Sequence, residues 1–286
     1  MRFGRLVWAT AMAAFLAFPV VAQTPAERGK YLVESIVGCG NCHTPQGPNG
    51  PVMSRALSGG PPMVEGTQFT AHPSNITSDR ETGIGIYSDA QLKVMIREGK
   101  RPDGSLIGPP MPFNFYRGMA DADLNAIIAY LRTVPAVKNA MPKSVYNMPL
   151  QQAWTPPITE PIVAPPRTDK VAYGRYLAGP LGHCLECHTP MGPGGRFEFD
   201  TMLGAGGFKF EGPWGISVSR NITSDTETGL GQWSDAEIEQ AIRKGVDRHG
   251  RTLMPPMGYA YYAKVSAEDM SALITFLRTL PPKKTP

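Results

Sequence analysis

The sequence predicts an all-α protein made of two tandem copies of one domain, joined by a proline-rich strap. Three observations carry that expectation. The chain repeats itself: Arg28-Gly29-Lys30-Tyr31-Leu32 matches Tyr173-Gly174-Arg175-Tyr176-Leu177, and a C-x-x-C-H-T-P run follows each at an offset of 145. Further on, N-I-T-S-D-R-E-T-G-I-G at 75–85 matches N-I-T-S-D-T-E-T-G-L-G at 221–231, and Pro109-Pro110-Met111 and Leu131-Arg132-Thr133 match Pro255-Pro256-Met257 and Leu277-Arg278-Thr279, all at 146. Such a period far exceeds the roughly 20–50 residues of stacked repeats and indicates two homologous domains. Apolar residues fall at helical spacing, as in Leu124, Ile127, Ile128, Leu131 and again in Met270, Leu273, Ile274, Leu277. Finally, no segment argues for a β-sheet.

The elements follow in order. Arg2 and Arg5, an apolar run from Leu6 to Val21 and the small residues up to Ala22 read as a secretory signal peptide over 1–22. An uncleaved anchor is the competing reading, although the run is shorter than the roughly 20 residues a spanning helix needs. The first domain covers 23–134. Its first helix is expected to run from about Pro25 to the cysteine motif, and Thr44-Pro45 stops it, because a residue before proline avoids the helical region. Ser88-Asp89-Ala90-Gln91 is a capping box opening a helix that ends near Gly99, and Asp121 is expected to cap the last helix. The strap, 135–169, holds eight prolines and favours extended backbone, with Tyr146 and Trp154 as anchors if it packs across both lobes. The second domain, 170–286, repeats the pattern from Lys170, with Ser234-Asp235-Ala236-Glu237 as its capping box and Ser266 as the last cap. One inserted residue in the second copy would account for the change of offset.

The chain holds 31 glycines and 29 prolines, which suits long loops wrapped around a flat cofactor. Its formal charge of +4 falls by two if 1–22 are removed, and no basic run suggests nucleic acid as a partner. The four cysteines all belong to Cys39-Gly40-Asn41-Cys42-His43 and Cys184-Leu185-Glu186-Cys187-His188. C-x-x-C-H reads as a covalent haem attachment site. Thiols three positions apart lie on neighbouring points of a helical turn, and the next residue offers its imidazole to the iron. A zinc site could use one such motif, and an exported chain with four cysteines could form two disulfides. A disulfide framework needs no histidine after each pair, and two copies in corresponding places of a repeat favour haem over a single zinc motif. Two covalently bound haem c groups are therefore expected, on Cys39 and Cys42 with His43 and on Cys184 and Cys187 with His188.

What occupies the other face of each iron decides the chemistry. Met111 and Met257 lie 68 and 69 residues past the two histidines, each after Pro-Pro and before the last helix. Methionine thioether opposite histidine raises the potential by favouring Fe(II). Methionines also fill gaps in cores. Among local competitors, however, Met254 aligns with Gly108 and Met119 with Val265, so only Met111 and Met257 recur together. His72, His183 and His249 have no repeated counterpart and read as loop or surface residues, with His183 beside Cys184. Tyr87 and Trp233 are repeated aromatics suited either to a haem propionate or to packing. Asn75, Asn221, Thr77 and Thr223 read as loop-stabilising residues, and Arg101 and Arg248 as propionate partners or solvent-facing cations.

With these residues in hand, the chain resembles the cytochrome c subunits of membrane-bound alcohol, aldehyde and gluconate dehydrogenases and of some molybdenum hydroxylases. The resemblance rests on C-x-x-C-H-T-P, N-I-T-S-D-x-E-T-G-x-G, the Ser-Asp capping box, P-P-M and L-R-T-x-P, all present twice. It implies two cytochrome c-type domains and a periplasmic electron-transfer protein rather than an enzyme. The donor would be the catalytic subunit of a dehydrogenase, and the acceptor a quinone, an oxidase or a small cytochrome. Membrane association would come through partners. Relatives commonly carry three haem domains and a C-terminal membrane-associating segment, where this chain has two motifs and ends in Pro281-Pro282-Lys283-Lys284-Thr285-Pro286. A dihaem peroxidase or a haem-based sensor is the alternative, and either needs an open iron site.

Overall fold

The computed structural model describes residues 23–286 apart from 49, 63, 66, 151–157, 194 and 213. The expected signal peptide and Trp154 lie outside the described residues. Helices dominate. In the first half they are α1 (Pro25–Glu34), α2 (Cys39–His43), α3 (Asp89–Glu98), α4 (Phe113–Tyr116) and α5 (Asp121–Thr133). In the second half they are α6 (Lys170–Tyr176), α7 (Cys184–Cys187), α8 (Phe199–Met202), α9 (Asp235–Lys244), α10 (Tyr259–Tyr262) and α11 (Ala267–Thr279). Among the described residues no helix is long and apolar enough to cross a membrane.

Short strands correct the expectation of no sheet. They are β1 (Gln46–Gly47) with β2 (Gly50–Pro51), β3 (Val64–Glu65), β4 (Phe69–Ala71) and β5 (Val145–Tyr146) in one small sheet, and β6 (Lys209–Gly212) with β7 (Gly215–Val218). All pairings are antiparallel, and none exceeds four residues, too short for an alternating pattern to stand out. The strap supplies β5, whose Tyr146 stacks on Phe69 at 5.6 Å and donates its hydroxyl to the carbonyl of Pro109 at 2.9 Å.

Local chemistry sets most helix ends. Thr24 and Glu27 form a capping box at α1, with Pro25 at the first helical position where a missing N–H costs nothing. Ser88 with Gln91 and Ser234 with Glu237 do the same for α3 and α9, which stop at Gly99 and Gly245 with φ of +62° and +63°. Two expectations fail. The first helix does not run into the cysteine motif: it ends at Ser35, and left-handed Gly38 (φ +59°) starts α2 afresh. Asp121 does not cap α5; Ala120 occupies the cap position without a side-chain bond, while the Asp121 carboxylate accepts from Arg97 at 2.6 Å.

The first and last helices of each half cross at a glycine. A Cβ on Gly29 would lie 1.8 Å from the carbonyl oxygen of Ala126 in α5, and one on Gly174 would lie 2.0 Å from that of Ala272 in α11. Backbones this close admit no side chain, which is why R-G-K-Y-L and Y-G-R-Y-L share their glycine. Around these crossings, Leu32, Val33, Leu124 and Ile128, then Leu177, Met270, Leu273 and Phe276, are almost wholly buried. One apolar cluster runs continuously through both halves.

Two reciprocal clamps join the halves. The hydroxyl of Tyr31 in α1 donates to Asp269 at the start of α11 at 2.8 Å and accepts the backbone N–H of Ser266 at 3.0 Å. The hydroxyl of Tyr176 in α6 donates to Asp123 at the start of α5 at 2.8 Å and accepts the N–H of Ala120 at 3.0 Å. Each carboxylate is buried and also meets an arginine: Arg28 Nε to Asp123 at 2.9 Å and Arg167 to Asp269 at 2.8 Å. The helix leading into each cysteine motif is thus bolted to the last helix of the other half.

Candidate haem sites

Each C-x-x-C-H motif forms a short helical turn, α2 or α7 with the following His188, and places its thiols about one turn apart. All four cysteines are free thiols rather than disulfides. Burial, with the neighbouring thiol of Cys42, pushes Cys39 up to about 12, and burial alone pushes Cys42 up to about 11. Cys184 rises to about 11 through burial, and Cys187 rises through burial, Glu186, Cys184 and Cys42. The thiols of the two motifs therefore sit close enough to feel one another across the interface between halves.

The histidines are prepared alike. Nδ1 of His43 donates to the carbonyl of Ser74 at 2.7 Å, and Nδ1 of His188 to that of Arg220 at 2.6 Å. A carbonyl can only accept, so the proton is on Nδ1 and Nε2 keeps its lone pair for a metal. Burial lowers both imidazoles from their usual range, against the carbonyl bond, which favours the charged form. The carbonyls of His43 and His188 are capped in turn by the N–H groups of Gly59 at 2.9 Å and Gly206 at 2.8 Å. Thr44 and Thr189, the buried threonines of the motifs, accept the N–H of Leu57 and of Gly204, both at 3.1 Å. Leu57 and Gly204 are 147 apart, so the change of offset is not one inserted residue: two enter before Gly204, and one is lost again by Ile222, the partner of Ile76.

Met111 and Met257 sit half-buried in matching loops whose Pro109-Pro110 and Pro255-Pro256 bonds are cis. The short helices that follow carry Tyr116, near enough to Cys39 and Cys42 to feel them electrostatically, and Tyr262, which feels Cys184 and Cys187 in the same way. Burial first, then those thiols, push both phenols well above their usual range. Each methionine loop thus leads into a tyrosine that is near the cysteines of its own half. The competitors separate from this pattern, with Met119 fully buried in the core and Met254 exposed.

Other repeated residues find structural partners. The Asn75 side chain accepts from the N–H and hydroxyl of Thr77 at 2.9 and 2.8 Å and donates to Val137 at 2.7 Å; Asn221 does likewise with Thr223 at 2.8 and 2.7 Å and with Lys283 at 2.6 Å. Their polar groups are used by the loop and by the segment that follows the last helix of each half. Arg101 bonds the carbonyl of Leu106 at 2.8 Å, and Arg248 lies over the Trp233 ring at 5.9 Å. Tyr87 and Trp233 pack against the core, and the arginine of each L-R-T run, Arg132 or Arg278, donates to their carbonyls and to Asp89 or Asp235. His72 and His249 are loop residues bonded through their backbone N–H groups, while His183 faces Glu186 at 3.5 Å. Sequence reasoning missed Tyr31 and Tyr176, although their recurrence in the R-G-K-Y-L and Y-G-R-Y-L runs was a visible signal.

The free thiol pairs and the oriented imidazoles fit covalent haem: two unpaired sulfurs and a neutral nitrogen on one helical turn, twice. Residues 171–281 match the model of the cytochrome c family, whose members bind haem c covalently. The whole sequence is similar to the fructose dehydrogenase cytochrome subunit of Gluconobacter japonicus, 30% identical over 99% of this chain and 61% of that protein. It is also similar to the gluconate 2-dehydrogenase cytochrome c subunit of Pantoea cypripedii, 30% identical over 96% of this chain and 64% of the relative. A protein named as a dihaem c-type cytochrome from Cereibacter sphaeroides is 28% identical over 85% of this chain and 82% of its own length. The chain thus spans about three fifths of the two dehydrogenase subunits.

Proposed function

We propose that the protein is a dihaem electron-transfer subunit with two cytochrome c-type domains, 23–134 and 170–286, joined by the strap 135–169. His43 and Met111 would hold one iron and His188 and Met257 the other, with Cys39, Cys42, Cys184 and Cys187 anchoring the two haem c groups. The observation that supports this reading is a recurrence: in each half a histidine Nδ1 donates to a carbonyl, and a P-P-M loop leads into a tyrosine near the cysteines. Haem supplies one-electron chemistry, and the chain's own residues set how it is used. Ser74 and Arg220 fix the tautomer and angle of the imidazoles. Met111 and Met257 would each offer the iron a neutral thioether, which favours the reduced metal and would leave no open site for peroxide or a gas.

The names of its relatives support a dehydrogenase catalytic subunit as donor; that donor would be periplasmic, and a quinone, oxidase or small cytochrome would be the acceptor. The leader 1–22 would carry the chain to the periplasm, and membrane association would come through partners. Visible spectroscopy of the ferric holoprotein tests the ligands. The weak far-red band of thioether-ligated haem should be present, and Met111→Ala and Met257→Ala should each remove about half of it. A spectrum unchanged by either substitution, or rapid peroxide turnover by the unsubstituted protein, would overturn the assignment.

A further inference from the structure

We propose that Asn41, inside the first haem motif, is a positioning residue for the second site: it braces the loop that carries Met257 from across the interface. The inference rests on the His/Met reading above. The Asn41 side-chain amide donates to the carbonyl of Pro256, the residue directly before Met257, at 3.1 Å. Asn41 is a sound anchor, because it sits in α2 with its backbone N–H held by Gly38 at 2.8 Å. The braced loop has few bonds of its own. Pro255 and Pro256 have no N–H, and the next turn is closed by Tyr259 N–H donating to Met257 at 3.0 Å. A side chain reaching Pro256 therefore governs how firmly the thioether is presented.

Two glycines make the approach possible. A Cβ on Gly258 would come within 3.3 Å of the Asn41 side chain, and one on Gly40 within 2.3 Å of the Tyr261 hydroxyl oxygen. Consecutive residues of the first motif thus lie directly against the 256–261 segment of the other half. The arrangement is not reciprocal. Glu186 takes the place of Asn41 in the second motif, Leu185 that of Gly40, and Pro112 that of Gly258. A carboxylate has no hydrogen to give the Pro110 carbonyl, and Glu186 instead faces His183 at 3.5 Å. Two sites with equivalent ligands are therefore made unequal. The methionine of the second is held by the first, so Met257 is the more firmly bound of the two.

Imidazole titration of the ferric holoprotein, followed by loss of the far-red band, reads how firmly each methionine is held. Met111→Ala and Met257→Ala assign the two displacement steps. Asn41→Asp keeps the shape and replaces the donor with an acceptor. It should lower the imidazole concentration that half-displaces Met257 by up to about tenfold, the scale of one lost hydrogen bond, and leave the Met111 step unchanged. Asn41→Gln, which keeps a donor, should restore part of the loss. Gly258→Ala, which crowds Asn41 from the other side without altering the haem motif, should shift the same step in the same direction and carries the test if Asn41→Asp fails to take up haem. An unchanged Met257 step, or an equal shift in both steps, would overturn the brace. If Met257→Ala leaves the band intact, the ligand reading itself falls and the brace with it.

Discussion

At Asp247 several weak effects combine into one strong preference. Burial raises its carboxyl, but the backbone N–H and guanidinium of Arg251 and the N–H of His249 outweigh burial and leave it at about 2. The ordinary aspartate value is about 3.9, so the folded state binds its proton less readily than the unfolded chain. The stabilisation is therefore full above about pH 4 and fades as pH falls toward 2. Asp247→Asn should lower the unfolding midpoint at neutral pH, and its gap from the unsubstituted protein should close in acid; a gap independent of pH would exclude the charged form as the cause. Single residues of this kind were only partly legible. Sequence alone offers Asp247 as the counterpart of Arg101, with no hint that the loop closes around its carboxylate. The haem motifs are different, because their chemistry lies in consecutive residues.

The helices follow their local signals where those signals are local. Thr24, Ser88 and Ser234 each cap a helix with the glutamate or glutamine three residues on, as the sequence requires. Asp121 failed as a cap because Arg97, from α3, competes for its carboxylate, and α3 lies beside α5 only after folding. Crossing geometry is likewise a tertiary matter, and it leaves a sharp test. Gly29→Ala and Gly174→Ala would each drive a methyl into the backbone of the facing helix, which cannot swing aside as a side chain can. Each should destabilise the holoprotein by about 1–3 kcal/mol, measured by denaturant unfolding. An increase in stability, the usual result of replacing an exposed helical glycine, would mean the helices do not touch there.

At the scale of the molecule, the continuous apolar cluster and the tyrosine clamps make the halves depend on one another. Tyr31→Phe together with Tyr176→Phe would leave Asp123 and Asp269 buried with one partner fewer, at about 1–3 kcal/mol for each site. The doubly substituted protein should unfold at a lower temperature and in a broader transition as the halves begin to separate; an unaltered calorimetric profile would show that the interface is held by apolar contact alone. The clamps also explain how Asn41 can reach Pro256. Tyr31 stands eight residues before Cys39 and Tyr176 eight before Cys184, so fixing the tyrosines fixes the motifs.

Cofactor class, repeat and helical character are all readable in the chain, because each is carried by neighbours in sequence: C-x-x-C-H within five residues, a capping box within four, an apolar stripe within eight. Folding had to bring together everything that joins distant segments. His43 meets the carbonyl of Ser74 31 residues away, Tyr31 meets Asp269 238 away, and Asn41 meets Pro256 215 away. No pattern of spacing encodes such pairs, since the intervening chain can close in many ways and only burial in a shared core selects one. The repeat suggests two equal sites. The interface makes them unequal, because a pair of near-identical halves packed against each other need not exchange the same bonds in both directions.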